Sequence, residues 1–246
     1  MEPAYFAPPE AAGVTSWEQY LALFEAGASF RLRGEKSVAY LYYKESARQI
    51  MSSLGPSVKL IIVLRNPVDL AYSLWGHNVR LGLEILSFEE ALEIERYRRD
   101  DSDLTQKLAG WSATYLYSDW GRYSLQIERY LSIFPRNNIY ISLYEEFFSS
   151  GFAPLYSELL EFLDVPPIEP PEPIVFNPAG DVRSKYLRRI LQERLWWKKP
   201  LRRLVPGGIR SKLVSGARRI NRTEKPLPEL DVGTRERLAR LLSQDV

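Results

Sequence analysis

Arg65 and Ser73 stand eight positions apart in residues 59–82, KLIIVLRNPVDLAYSLWGHNVRLG, and together they could hold a phosphate. A guanidinium fork meets phosphate oxygens with two parallel hydrogen bonds, and a nearby hydroxyl can add a third. The plainer alternative is an arginine beside a helix cap that serves only the fold.

The flanking residues say how the pair would be positioned. Residues 60–64 form a short, unbroken aliphatic run, the pattern of a parallel strand covered on both faces. Asn66 can cap the following helix, and Pro67 sits where a missing N–H is harmless. The helix should run over residues 67–80, with Ser73 on it and Arg65 at the strand's carboxyl end. Ligands of open α/β sheets collect at such ends.

The string L-R-N-P-V-x-x-A-Y-S of residues 64–73, followed by R-L-G at 80–82 and S-F-E-E-A-L at 87–92, resembles the 3'-phosphate motif of sulfotransferases that use 3'-phosphoadenosine 5'-phosphosulfate (PAPS). The likeness is to the bacterial and heparan-sulfate-type branch. Further matches follow in order: Gly34-Glu35-Lys36-Ser37 with Tyr40, Gly121 with Tyr123, and Tyr144-Glu145-Glu146 after a strand at 139–143. The pattern spans about residues 2–242. It implies an α/β chain with a three-layer, P-loop-like sulfotransferase fold around a central parallel sheet, in which Arg65 and Ser73 grip the 3'-phosphate of PAPS. It also implies that Glu2, in Glu2-Pro3-Ala4-Tyr5-Phe6, is the catalytic base. Lys36, at a strand end and oriented by Glu35, would touch the transferring sulfonate or the acceptor. Arg183 and Lys185, after Asn177-Pro178-Ala179-Gly180, would approach the 3'-phosphate. Relatives open with a strand and a K-x-G-T-T-like loop for the 5'-phosphosulfate and continue past the C-terminal helix. Against that pattern the sequence reads as a core without its first βα unit, with transfer slowed or absent. The alternative is a non-catalytic relative that keeps the 3'-phosphate half-site.

Sulfuryl transfer resembles phosphoryl transfer in what it asks of a protein: a base on the acceptor side, positive charge on the leaving side, and in-line positioning. No metal is required. The acceptor would be a hydroxyl or amine of a carbohydrate, lipid or small molecule. The missing phosphate-loop lysine argues against a third reading, a nucleotide-kinase-like P-loop enzyme: in Gly34-Glu35-Lys36-Ser37 the lysine is separated from Gly34 by Glu35, and the upstream glycine is absent at the required spacing.

Composition narrows the classes. The 246 residues hold no cysteine and one histidine, His77, which rules out disulfides and thiolate zinc sites and disfavours a histidine-based triad. No apolar run approaches the ~20 residues that span a bilayer, and a cytoplasmic location is expected. One domain is expected, with a core over 1–176 and a basic helical part over 177–246. Residues 183–225 carry fifteen Lys/Arg against two Asp/Glu, leaving 18 basic and 29 acidic residues elsewhere. Such a basic arm could meet anionic lipid at a membrane surface, a polyanionic acceptor or the phosphates of PAPS, or could be a solvated helix face. No nucleic-acid module accompanies it.

Elsewhere the signals alternate in the α/β manner. A capping box at 15–18 opens a helix to about Glu25, and residues 30–33 read as a short strand. Helices are expected over 43–52, from the capping box at 87–90 for about twelve residues, and over 154–163. An amphipathic helix from Tyr123 closed by Pro135 leads to the strand at 139–143, which should lie parallel to the first. The charged run 96–103 reads as a loop, and the six prolines of 165–178 as an extended linker. Acceptor choice is expected in residues 83–121, where Trp111, Tyr115, Tyr117 and Trp120 offer ring surface, at least two of them as ordinary core.

Overall fold

The structure is a computed structural model, and it describes residues 2–101, 112–149, 151–172, 227–243 and 245. In chain order its elements are α1 (Trp17–Ala22), α2 (Ala39–Tyr42), α3 (Ser46–Leu54), β1 (Leu60–Leu64), α4 (Pro67–Leu81), α5 (Phe88–Glu93), α6 (Glu95–Asp100), α7 (Tyr123–Leu131), β2 (Ile139–Leu143), α8 (Glu146–Ser149), α9 (Phe152–Phe162) and α10 (Val232–Leu242). β1 and β2 pair in parallel, from Leu60 opposite Ile139 to Leu64 opposite Leu143. The α/β class and the parallel relation therefore hold, with two strands in the sheet among the described residues.

The chain divides into two compact units, one of Met1–Pro67, Trp120–Pro173 and Leu242–Val246, the other of Val68–Asp119 and Ile174–Leu241. The first is built around the strand pair. Ile62, Leu64 and Ile139 are buried with Tyr130 and Phe134 of the α7 region. The Tyr130 hydroxyl donates to the Tyr40 carbonyl at 2.7 Å, and Ser46 Oγ donates to the Phe6 carbonyl at 2.7 Å. An aromatic ladder runs beside them, with Tyr20 stacked on Tyr5 and Trp17 and meeting Phe24 edge-on. Such ring pairs add to plain area burial and fix side-chain orientation.

The second unit is centred on Phe88, Tyr115 and Tyr117, which are almost fully buried. Two of the four aromatics suspected of facing an acceptor are thus core; Trp120, in the first unit, stacks on Tyr42, and Trp111 lies outside the described residues. Ser87 caps α5 as expected: its Oγ accepts from Glu90 N–H, and Glu90 Oε2 accepts from Ser87 N–H at 2.8 Å. At the heart of this unit Glu84, 1% exposed, accepts from Arg98 at 2.7 Å and from the Tyr117 hydroxyl at 2.8 Å. Its other oxygen takes the Ile85 and Leu86 N–H groups, so the buried charge is fully satisfied.

Several local expectations are corrected. Residues 30–33 form no strand; Phe30 and Leu32 are exposed, and no neighbouring strand pairs with them. β1 is covered on one face only, since Ile61 and Val63 are 45% and 49% exposed while Ile62 and Leu64 are buried. Ser16, not Thr15, caps α1, accepting from Gln19 N–H at 3.2 Å, and the helix ends at Ala22. The charged run starting at Arg96 is helical as far as Asp100 because Arg98 turns inward to Glu84. Of the proline-rich stretch 165–178, residues 165–172 carry no helix or strand, as expected, and residues 173–178 lie outside the described residues. The helix Val232–Leu242 lies within the part expected to be helical, and Asp231 Oδ2 caps it by accepting from Thr234 N–H at 2.9 Å.

Candidate active site

Two clusters of predicted site residues lie in the first unit. One is the turn after β1. The Tyr144 N–H donates to the Leu64 carbonyl at 2.6 Å, the Tyr123 hydroxyl to the Arg65 carbonyl at 3.0 Å, and the Asn66 N–H to Glu145 Oε1 at 2.8 Å. Burial pushes the Tyr123 phenol up to about 12, with nearby Glu145 adding to the rise and the Arg65 carbonyl and charge opposing it, so the hydroxyl stays a donor at neutral pH. Gly121 lies against Pro67 so closely that an added Cβ would sit 2.7 Å from the Pro67 Cβ. The short motifs Gly121 with Tyr123 and Tyr144-Glu145, far apart in sequence, therefore converge on one turn.

Arg65 is held in a definite direction by that turn. Its guanidinium carbon lies 5.1 Å from the centroid of the Tyr144 ring, a cation–π contact that leaves the N–H edge free to donate. Among the described residues no carboxylate or carbonyl accepts from this half-buried guanidinium. Ser73 is half-buried on α4, nearly two turns in from Pro67. Arg183 and Lys185 lie outside the described residues.

The second cluster is an open depression of about 540 Å³, lined by Glu2, Pro3, Leu23, Phe24, Gly34, Glu35 and Lys36. Glu2 and Lys36, the two expected catalytic residues, meet there: Lys36 Nζ is 3.4 Å from Glu2 Oε1, and Glu2 Oε2 accepts from Val38 N–H at 3.0 Å. Glu2 is thus a fastened residue. Gly13 and Val14 both donate to the Pro3 carbonyl at 2.9 Å, and Ala4 N–H donates to Ser37 Oγ at 2.9 Å. Ala4 takes a left-handed backbone, φ 45°, a conformation that for a non-glycine residue costs about 1–2 kcal/mol and persists only where neighbours impose it. A Cβ on Gly13 would stand 2.3 Å from the Glu2 carbonyl oxygen, so only glycine lets the 2–3 segment lie down here.

Glu35 does not orient Lys36. Its Oε2 accepts from Ser37 Oγ at 2.9 Å, and after burial its charge is a further cause raising the phenols of Tyr20 and Tyr40. Nor does Lys36 sit at a strand end, since residues 32–37 have no regular structure. Gly13 and the Tyr144 stack escaped the sequence reading; both act through partners distant along the chain. Taken together, the depression offers a carboxylate positioned by a backbone donor and an ammonium, as a proton acceptor needs, and the β1 turn offers a directed guanidinium.

The sulfotransferase domain family matches residues 36–177, more than half of the sequence, and the chain belongs to that family. Lys36, Arg65 and Ser73 fall within the match; Glu2, Arg183 and Lys185 fall outside it. Among solved structures the chain is similar to a sulfotransferase from Alicyclobacillus acidocaldarius, at 28% identity and a TM-score of 0.58, over 72% of this chain and 74% of that one. No curated protein matches it. Among the described residues no helix is long and apolar enough to cross a membrane, and no cluster of acidic or histidine side chains could hold a metal ion.

Proposed function

We propose that the chain transfers a sulfonate from PAPS to a hydroxyl or amine, in the manner of the bacterial and heparan-type sulfotransferases. Arg65 and Ser73 bind the donor's 3'-phosphate, and Arg183 and Lys185 assist them. The observation that carries the reading is Arg65: a half-buried guanidinium at the carboxyl end of a parallel strand, aimed by Tyr144, with no acceptor among the described residues. A charge kept there without a hydrogen-bond acceptor among the described residues suits a phosphate ligand. PAPS supplies an activated S–O bond whose leaving group is 3'-phosphoadenosine 5'-phosphate.

Within this reading, Glu2 takes the acceptor's proton while the acceptor oxygen or nitrogen bonds to sulfur and the S–O bond to the 5'-phosphate breaks. The Val38 N–H and Lys36 hold the Glu2 carboxylate in place, and Lys36 is near enough to steady the sulfonate's charge. The second reading, a binding protein that retains the 3'-phosphate half-site without transfer, makes the same claim about Arg65.

Calorimetric titration with 3'-phosphoadenosine 5'-phosphate tests the phosphate site. Arg65→Ala removes charge-assisted contacts of about 1.5–3 kcal/mol, so affinity should fall about tenfold to a hundredfold. Adenosine 5'-phosphate, without the 3'-phosphate, should be unaffected. Equal losses for both ligands would remove the role given to Arg65. A radiolabelled-donor assay then separates transfer from binding alone.

A further inference from the structure

The depression beside Glu2 has a character that the transfer reaction alone does not require. Pro3, Leu23 and Phe24 form an apolar wall, and Leu23 is 52% exposed to whatever enters. Phe24 is braced from behind by Tyr20, with ring centroids 5.2 Å apart, and Tyr20 is stacked in turn on Tyr5 and Trp17. The wall is therefore rigid. Among the described residues the remaining lining carries two carboxylates, Glu2 and Glu35, and one ammonium, that of Lys36, beside Glu2 at 3.4 Å. Arg31, a few residues away, spends a guanidinium N–H on the Asp164 carbonyl at 2.5 Å. Among the described lining residues Lys36 is therefore the one cation, and it is shared with Glu2 and the transferring sulfonate.

From this charge and shape we infer that the acceptor is an uncharged or cationic amphiphile, a hydroxyl or amine compound with an apolar portion, and that polyanionic glycans are excluded from the depression. The inference rests on the sulfotransferase reading and narrows its acceptor class. The volume, about 540 Å³, lies within the range of sites that hold a drug-sized ligand. Its polar end would face Glu2, and its apolar end would cover Leu23 and Phe24. A sulfated or uronic-acid chain would bring like charges against Glu2 and Glu35, which disfavours it.

Octyl glucoside below its micellar concentration, glucose, and a heparin-derived tetrasaccharide are suitable probes, titrated into the full chain saturated with 3'-phosphoadenosine 5'-phosphate. Octyl glucoside should bind about tenfold or more tightly than glucose, the effect of withdrawing about two methylenes from water. Leu23→Asp should abolish that advantage while leaving the affinity for 3'-phosphoadenosine 5'-phosphate and the circular dichroism unchanged, because Leu23 is exposed. The tetrasaccharide should not displace octyl glucoside. Equal affinities for octyl glucoside and glucose, an advantage that survives Leu23→Asp, or displacement by the tetrasaccharide would each overturn the inference. Failure of 3'-phosphoadenosine 5'-phosphate to bind at all would instead strike the sulfotransferase reading, so the two failures are distinguishable.

Discussion

Gly121→Ala is the most direct perturbation of the turn that aims Arg65. The added methyl would stand 2.7 Å from Pro67 Cβ and 3.3 Å from its Cα, where ordinary contact begins at 3.4 Å. About 0.7 Å must therefore be opened at the closest pair, and a proline ring cannot swing aside by changing rotamer. Overpacking of this kind costs about 1–3 kcal/mol. With a urea dependence of about 2 kcal/mol per molar, the unfolding midpoint should fall by about 0.5–1.5 M. Pro67 lies two residues from Arg65, so the guanidinium should also be displaced by a few tenths of an ångström, weakening 3'-phosphoadenosine 5'-phosphate about threefold to tenfold. Gly34→Ala is the matched control: nothing among the described residues lies within 4 Å of its would-be Cβ, and its stability should stay within about 0.5 kcal/mol of the parent. Urea unfolding and calorimetry on the two variants decide the matter. If Gly121→Ala unfolds where Gly34→Ala does, the close approach does not constrain the turn; if it loses stability but not affinity, the turn does not position Arg65.

Three further outcomes follow from the same structure. Arg98→Ala leaves the Glu84 carboxylate buried without its cation and should destabilise the protein by about 3–5 kcal/mol in denaturant unfolding, whereas Lys36→Ala, at a largely exposed pair, should change stability by less than about 1 kcal/mol. Burial raises the Glu95 carboxyl from 4.5 to about 7, with Asp119 adding to the rise and the Ser118 hydrogen bonds opposing it. Because its folded value exceeds its unfolded one, its contribution is present below about 4.5 and is lost as pH rises through about 7. Glu95→Gln keeps an acceptor for the Ser118 N–H and Oγ and should flatten the stability–pH curve in that window; an unchanged slope on thermal or urea unfolding would rule out Glu95 as its source. Gly13→Ala should displace the 2–3 segment, seen as loss of the octyl glucoside advantage over glucose with 3'-phosphoadenosine 5'-phosphate binding retained.

What the sequence made legible was local. The 60–64 run, Pro67 as a helix start and the Ser87/Glu90 box each depend on neighbours within four residues, and each is found where expected. Residues 30–33 carry strand-like composition but pair with no strand among the described residues, and composition alone does not reveal that. The charged run around Arg98 reads as a loop in sequence because the partner that turns Arg98 inward, Glu84, belongs to the segment before α5. Of the site, Glu2 and Lys36 were named separately through resemblance; that they touch is set by the fold. The grip on Glu2 by Val38, and the exclusion of any side chain at Gly13, join residues tens of positions apart or across a turn with no periodic signature.

The turn after β1 also bears on how the protein folds. Tyr123 reaches the Arg65 carbonyl across 58 residues of chain, and Glu145 reaches the Asn66 N–H across 79. Closing such loops is entropically demanding, and parallel pairing of β1 with β2 must come with it, so the completed turn belongs to the late, non-local part of assembly. An anion that bound at Arg65, as proposed, would recognise only chains that have finished folding. Its stabilisation, about 2.7 kcal/mol at a hundredfold excess over Kd, acts by mass action on the unfolding of the strand pair as a whole and not on fraying of a single loop.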